Sequence, residues 1–239
     1  MGISENNVFV ADDFYKQAKI VCDQIDEINA KNVLELAPGK LATLNYLAKE
    51  NTKVNFYGID LPNGQFKTKT SVPNIKLNYG DYHNLSNYPN DSMDLIYIIE
   101  ALCHAHNKER VIAECFRVLK KGGRFIVIDG YFNEDVAMKL VTKSMMVTDK
   151  QQEYHTFCNL LEKKKFKILH SIDYSKNILP SLRRLENTAR RFVKYPKLAK
   201  FITLVAGDIV TANAAAGYLM PACVEEGLFE YRYTLSQKI

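Results

Sequence analysis

The chain has 239 residues, 47% of them hydrophobic, and a formal net charge of +5, which suits one globular domain of the α/β kind with a substantial core. The modest charge does not by itself favour nucleic acid as a partner, and no apolar run reaches the roughly 20 residues that a membrane span needs. The five cysteines form no CxxC pair, which argues against a disulfide framework or a zinc site and favours reduced thiols in a cytoplasmic protein.

The first predicted elements are an amphipathic helix over residues 12–30 and a short buried strand that turns sharply into a second helix. Pro38 and Gly39 break the strand, and from Leu41 apolar residues recur at helical spacing. Such a turn presents backbone N–H groups where open α/β sheets bind nucleotide-like ligands. With Gly39 alone in place of three glycines, however, the motif fits a turn without a ligand equally well.

The next strands each end near an acidic residue. These strands are predicted over residues 53–61, 74–79, 92–100 and 124–129. Asp60 is placed to accept hydrogen bonds from both hydroxyls of a ribose, and Asp81 is suited to an adenine amine, although loop acids are a plain alternative. With Glu35, Glu100 and Asp129, these acids lie at the carboxyl edge of a parallel sheet, and their convergence predicts a ligand site there.

The rest of the chain completes the predicted architecture. A helix at 108–119, closed by glycines as a left-handed C-cap, precedes the fifth strand. Two helices (136–146 and 151–161), a sixth strand (166–172), a helical stretch (181–226) and a strand at 228–235 follow. We expect the last strand to insert antiparallel beside the fifth. The prediction is a Rossmann-like α/β fold: a seven-stranded, mostly parallel sheet with an antiparallel last strand, helices on both faces and a helical lid.

The predicted chain organisation is one domain. Residues 1–30 form an N-terminal helix, residues 31–175 and 227–239 a ligand-binding core, and residues 176–226 an inserted lid. Within the lid, residues 181–200 carry seven basic side chains against Glu186 alone. A basic amphipathic helix of this kind can lie on an anionic membrane surface, or it can be the solvated face of the lid. The apolar, alanine-rich stretch that follows suits a cover over a lipophilic molecule or ordinary packing against the sheet.

Five stretches carry a resemblance to a known family. They are ELAPG (35–39), GIDL (58–61), GDYHNL (80–85), MDLIYIIEALCHA (93–105) and ECFRVLKKGGRFIVIDGYF (114–132). They resemble the motifs of class I S-adenosylmethionine-dependent methyltransferases, and look most similar to the methyltransferase type 11 and sterol- and tocopherol-methyltransferase-like branch that acts on small molecules. The chain departs from that pattern at Ala37 and Leu41, which stand where the first motif normally has glycine.

The resemblance implies a cofactor, S-adenosylmethionine, and a set of residues that bind it. The implied cofactor-binding residues are Glu35 near the methionine amino group, Ala37, Pro38 and Gly39 along the methionine carboxylate and ribose, Asp60 at the ribose hydroxyls, Leu61 on the adenine face, Asp81 and Tyr82 at the adenine amine, and Ile99 under the sulfonium. The implied activity is methyl transfer to carbon, oxygen or nitrogen of a small lipophilic acceptor.

The acceptor side of the implied reaction has three candidate catalytic residues. Glu100 and His104 follow the fourth strand and could take a proton from the acceptor, and the Glu100 carboxylate could stabilise a carbocation. Tyr131 follows the fifth strand and is a further candidate. The alternatives are that Glu100 caps the next helix and that His104 is a packing residue.

Three other functions compete with this hypothesis. A nicotinamide-dependent oxidoreductase would share the turn and Asp60, but it does not explain Asp81 after the third strand. A methyltransferase-like fold could bind S-adenosylmethionine or a partner without turnover. A nucleic-acid methyltransferase is disfavoured because the fourth motif lacks an NPPY-type sequence. The expected partner is a small-molecule acceptor, not nucleic acid, and the protein is expected to be a monomer or a homodimer.

Overall fold

A computed structural model describes residues 1–62, 66–132, 141–142, 153–195, 197, 200, 203–204 and 208–239. Within this part of the chain a seven-stranded sheet has the order β3-β2-β1-β4-β5-β7-β6. The strands are β1 (Asn32–Leu36), β2 (Asn55–Asp60), β3 (Ile75–Tyr79), β4 (Met93–Ile99), β5 (Leu119–Phe132), β6 (Phe166–Asp173) and β7 (Phe229–Lys238).

The direction of the strands confirms the predicted sheet. Strands β1 to β5 pair in parallel, as expected for strands joined by crossover connections. Strand β7 lies between β5 and β6 and runs antiparallel to both, so the prediction of an antiparallel last strand beside the fifth is also confirmed. The carboxyl ends of β1 to β5 therefore meet along one edge, where the acids that follow them are brought together.

Helices cover both faces of the sheet. They are α1 (Lys16–Glu27), α2 (Ala42–Glu50), α3 (Lys108–Val118), α4 (Tyr154–Lys163), α5 (Ser175–Lys194) and α6 (Asp208–Glu225). Apolar residues of α1, α2, α5 and α6 join one core cluster on one face, and those of α3 and α4 join a second cluster on the other. Because β1 and β4 are buried on both faces, their sequences are nearly continuous in apolar residues.

Several predicted boundaries differ from the structure. The first helix is preceded by a 3₁₀ turn at Ala11–Tyr15, and the last helical region begins earlier, at Ser175. The predicted helix at 136–146 falls largely outside the described residues. Gly122 does not cap α3, because that helix ends at Val118 and Gly122 (φ 76°) lies within β5. There the pairing with β4 shifts register, and glycine adopts the left-handed backbone of this irregularity at no steric cost.

Candidate functional site

The turn between β1 and α2 keeps a left-handed backbone at positions 37 and 41, where the motif usually has glycine. Ala37, Gly39 and Leu41 all have positive φ, at 53°, 51° and 65°. The Ala37 N–H donates to the Ile59 carbonyl oxygen at 2.8 Å, which holds the turn against β2. Leu41 is buried in the core, and that burial offsets the roughly 1–2 kcal/mol cost of its left-handed backbone. The two departures from the motif therefore preserve the path of the turn.

Asp60 links the end of β2 to this turn. One carboxylate oxygen accepts the N–H of Gly39 at 3.0 Å, and the other accepts the N–H of Leu61 at 2.8 Å. The Leu61 side chain is 53% exposed. A Cβ added at Gly39 would meet nothing within 4 Å, so open space lies beside the turn. Asp60 and Leu61 thus border this space, and their role in holding a nucleoside stays a prediction.

Glu35 is a buried acid beneath the turn. Its side chain is only 4% exposed, and the Tyr97 hydroxyl donates to Oε2 at 2.8 Å. Burial raises the pKa of Glu35 to about 8, the hydrogen bond from Tyr97 lowers it in part, and the charge of Asp60 raises it further. The carboxyl group is therefore largely protonated at neutral pH, and a neighbouring cation would favour its ionisation.

The loop after β3 brings Asp81 and Tyr82 to the same edge. Asp81 accepts the His83 backbone N–H at 2.8 Å and lies 2.5 Å from Nδ1 of the same residue. Burial opposes ionisation of Asp81, but these contacts with His83 lower its pKa. The His83 ring stacks between Tyr82 and His106, with centroid distances of 4.9 and 3.8 Å. The sequence did not point to either histidine, because the contact of His83 with His106 depends on how two loops pack.

Ile99 and Glu100 end β4, where the backbone is strained. Ile99 is half-buried, and Glu100 has a φ of 52°. Non-glycine residues with such a backbone are often found at functional sites. The Glu100 Oε1 atom accepts hydrogen bonds from the Tyr231 hydroxyl at 2.6 Å and from Gln17 Nε2 at 3.0 Å, and it pairs with the Met1 amino group. Burial alone would raise the pKa of Glu100, but these partners lower it.

Glu100 and His104 line one cavity of about 270 Å³. Asp129 and Tyr231 line it too. Asp129 is 2% exposed and accepts the N–H group of Cys103 at 3.0 Å and that of Gly130 at 2.7 Å. Burial raises the pKa of Asp129 to about 6, although these hydrogen bonds lower it in part. The site therefore joins two carboxylates and an imidazole in one space.

Tyr131 lies elsewhere. Its ring is buried on the face covered by α3 and α4, with centroids 5.0 Å from Tyr154 and 5.5 Å from Phe157. The Tyr131 hydroxyl has no hydrogen-bond partner among the described residues. Tyr131 is not among the residues that line the cavity with Glu100, so its catalytic role stays a prediction. Gln17, Asp129 and Tyr231 were not among the predicted site residues. Only Asp129 had a signal, its position at the end of a strand.

The basic helix α5 is partly neutralised within the protein. Glu186 pairs with Arg183 at 2.6 Å and with Arg190 at 2.7 Å. The Arg184 guanidinium lies 4.0 Å from the centroid of the Phe9 ring. Among the described residues, no helix is both long enough and apolar enough to cross a membrane.

Comparison with known proteins finds a family model and several relatives that are similar to parts of this chain. Residues 34–127 match the family model described as a methyltransferase domain. An S-adenosyl-L-methionine-dependent Diels-Alderase of Talaromyces variabilis is 28% identical over 63% of this chain and 58% of that protein. A demethylmenaquinone methyltransferase of Thermotoga maritima is 29% identical over 48% of this chain and 50% of that protein. The chain thus spans less than two thirds of the length of these curated relatives.

Solved structures share the fold over nearly the whole chain. The [4+2]-cyclase SpnF superimposes with a TM-score of 0.78 at 17% identity, covering 99% of this chain and 86% of the cyclase. A geranyl diphosphate methyltransferase, solved in complex with S-adenosylmethionine, superimposes with a TM-score of 0.72 at 11% identity, covering 93% and 84% of the two chains. These likenesses confirm the predicted fold, and the domain match supports the family resemblance of the sequence motifs over residues 34–127.

Proposed function

We propose that this chain is a class I S-adenosylmethionine-dependent methyltransferase that transfers a methyl group to a small lipophilic acceptor. The domain match over residues 34–127 and the shared fold support this proposal. The observation that carries the proposal is the arrangement around the left-handed turn: Glu35, Asp60 and Asp81 lie within or just after three adjacent strands, and Asp60 accepts the N–H of Gly39 beside an open space. This set of oxygen acceptors fits the amino group, ribose hydroxyls and adenine amine of S-adenosylmethionine.

The proposed cofactor site follows from these contacts. Asp60 holds the turn through Gly39, and a carboxylate has about four acceptor positions, so it can also accept ribose hydroxyls. Glu35 is largely neutral at pH 7, and a methionine ammonium nearby would stabilise its ionised form. Cofactor binding below about pH 8 should therefore release a proton. Leu61 and Tyr82 flank the adenine, and Ala37, Pro38 and Ile99 line the methionine end.

On the acceptor side, the cavity of Glu100, His104 and Asp129 positions the nucleophile. When bound, S-adenosylmethionine supplies an activated methyl group, so positioning and exclusion of water contribute much of the catalysis. Tyr231 and Gln17 hold Glu100 as an anion. Glu100 can then stabilise positive charge that develops on the acceptor. His104, or Asp129 with its raised pKa, can take the proton of a hydroxyl or amine acceptor.

Several finer predictions are part of this proposal. The chain acts in the cytoplasm, as a monomer or homodimer, as one domain in which residues 176–226 form the lid, and its partner is not nucleic acid. Contact with an anionic membrane surface through residues 181–200 is supported by the exposed side chains of Arg184, Arg191 and Lys194. The ion pairs of Arg183 and Arg190 with Glu186 reduce the charge available for it.

Titration calorimetry with S-adenosylmethionine and S-adenosylhomocysteine tests the proposal. We expect micromolar binding that Asp60→Ala weakens by at least about tenfold, or 1.4 kcal/mol. Asp173→Ala, which removes a carboxylate at the end of β6, is the matched control and should leave the affinity unchanged. Failure of both compounds to bind, with the folded protein verified by circular dichroism, would refute the proposal.

A second candidate function is favoured by one specific observation. Both the Talaromyces relative and the SpnF structure are described as enzymes that form rings, a Diels-Alderase and a [4+2]-cyclase. A chain of this fold could thus bind S-adenosylmethionine and catalyse a cycloaddition without methyl transfer. Quantifying S-adenosylhomocysteine during turnover of candidate acceptors separates the two: methyl transfer produces one molecule per product, and cycloaddition produces none.

A further inference from the structure

A second cavity, of about 440 Å³, lies between α5 and α6 of the lid. Its volume corresponds to roughly fifteen water molecules, yet nine of the eleven described residues that line it are apolar, and only Thr188 and Asn213 among them are polar. None of these eleven residues carries a charged side chain. A cavity of this composition favours hydrocarbon over a polar or charged ligand. We call it the lid cavity.

The lid cavity adjoins the cavity that contains Glu100, His104 and Asp129. Met1 lines both spaces, so one residue is common to their walls. The two spaces differ sharply in chemistry. In the Glu100 cavity, Glu100 is paired with the amino group of Met1, while Asp129 is a second carboxylate whose hydrogen bonds come from backbone N–H groups and from the Cys103 side chain. This arrangement disfavours an anionic group beside Asp129.

We propose that the lid cavity binds the hydrocarbon chain of the methyl acceptor, and that the reacting end of this acceptor, in the Glu100 cavity, is a neutral hydroxyl or an amine. An amine that enters protonated gives its proton to His104 or Asp129 before its lone pair takes the methyl group. This inference rests on the proposed function and narrows its acceptor to amphiphiles with an apolar tail and no anionic head. A linear chain suits the lid cavity because its lining residues extend along α5 from Leu182 to Ala189, a rise of about 10 Å in an α-helix.

Gly217 offers a variant that fills the lid cavity without disturbing the fold. A Cβ added there would lie 3.6 Å from the Leu185 carbonyl oxygen and 3.7 Å from its Cβ, which is ordinary van der Waals contact. Gly217 lies within α6, where replacing glycine also favours the helix. Gly217→Leu should therefore fold at least as well as the natural protein while its side chain occupies part of the cavity. Gly217→Ala is the matched control because it adds only one methyl group.

The experiment measures the affinities of n-butylamine, n-octylamine and octanoate by titration calorimetry, below the concentrations at which they aggregate. Each buried methylene contributes about fourfold in affinity, so we expect n-octylamine to bind more than about tenfold tighter than n-butylamine. Gly217→Leu should remove most of this advantage, and Gly217→Ala should retain it. Octanoate should bind at least about tenfold more weakly than n-octylamine, because its carboxylate is placed beside Asp129.

Three results would overturn the inference. Equal affinities for the long and short amines, or an unchanged n-octylamine affinity in Gly217→Leu, would show that the lid cavity does not hold the chain. Octanoate binding as tightly as n-octylamine would refute the assignment of the head group. S-adenosylhomocysteine is titrated in parallel. If S-adenosylhomocysteine does not bind while n-octylamine does, the proposed methyl transfer is refuted and the inference that the lid cavity binds hydrocarbon is retained.

Discussion

Glu35 gives the sharpest test of the electrostatics beneath the turn. Burial raises its pKa from an ordinary 4.5 to about 8 in the folded protein. The folded state therefore favours the protonated carboxyl group more than the unfolded chain does. The resulting stabilisation is fully present below pH 4.5 and is lost as the pH rises through about 8. Glu35→Gln removes this titration while its amide oxygen can still accept the Tyr97 hydroxyl.

The magnitude follows from the difference between the two pKa values. A difference of about 3.5 units corresponds to at most about 5 kcal/mol, at about 1.36 kcal/mol for each unit. Between these pKa values, the free energy of unfolding of the natural protein should fall by about 1.4 kcal/mol per pH unit relative to that of Glu35→Gln. Any cost of burying the new amide adds a constant offset, so the slope against pH is the diagnostic quantity.

Urea unfolding of both proteins without cofactor, at several pH values between about 5.5 and 7.5, measures this slope. Glu50→Gln, at the exposed C-terminal end of α2, is the matched control and should follow the natural protein. Parallel dependences on pH for the natural protein and Glu35→Gln would refute the raised pKa. They would mean that Glu35 is ionised in the folded state throughout this range.

Three further substitutions test the packing and hydrogen bonds that support the site. Tyr97→Phe removes the hydroxyl that donates to Glu35, and urea unfolding near neutral pH should show a loss of about 1–2 kcal/mol; no loss would mean that this hydrogen bond is not formed in solution. Gly130→Ala would bring a Cβ within 2.3 Å of the Phe229 ring. The free energy of unfolding should therefore fall by about 1–3 kcal/mol, which calorimetry would record as a lower Tm. An unchanged Tm would contradict this close approach. The third substitution, Asp94→Asn, tests a carboxylate of β4. Burial raises the pKa of Asp94, but hydrogen bonds from a lysine of β5 and from two backbone N–H groups near the start of β1 lower it below its ordinary value. The stabilisation that ionised Asp94 contributes is present above pH 3.8 and lost as the pH falls further. Acid titration by circular dichroism should therefore show the stabilities of the natural protein and Asp94→Asn converging at low pH. A constant difference in stability between them would argue against this assignment.

The amino-acid sequence was enough to establish the sheet and the edge at which the site lies. Short apolar runs alternating with helical periodicity require a parallel sheet, and the acids that follow those runs then meet at one edge. Asp60 and Asp81 could be assigned to this edge from their positions at strand ends. Glu100 could be assigned there for the same reason, because a strand's direction and end are local properties of the chain.

The groups that contact these acids are set by tertiary packing. Gln17 and Tyr231 donate to Glu100 from positions 83 and 131 residues away in the chain, and no local pattern encodes such a meeting. The pairing of β7 between β5 and β6 sets the register that brings Tyr231 opposite Gly130. Tyr131 follows Gly130 in β5, and its side chain therefore projects to the face of the sheet opposite that of Tyr231, since successive side chains of a strand alternate. Periodicity shows that a strand exists, but only packing fixes the partners of each side chain and, through burial, the pKa of each acid.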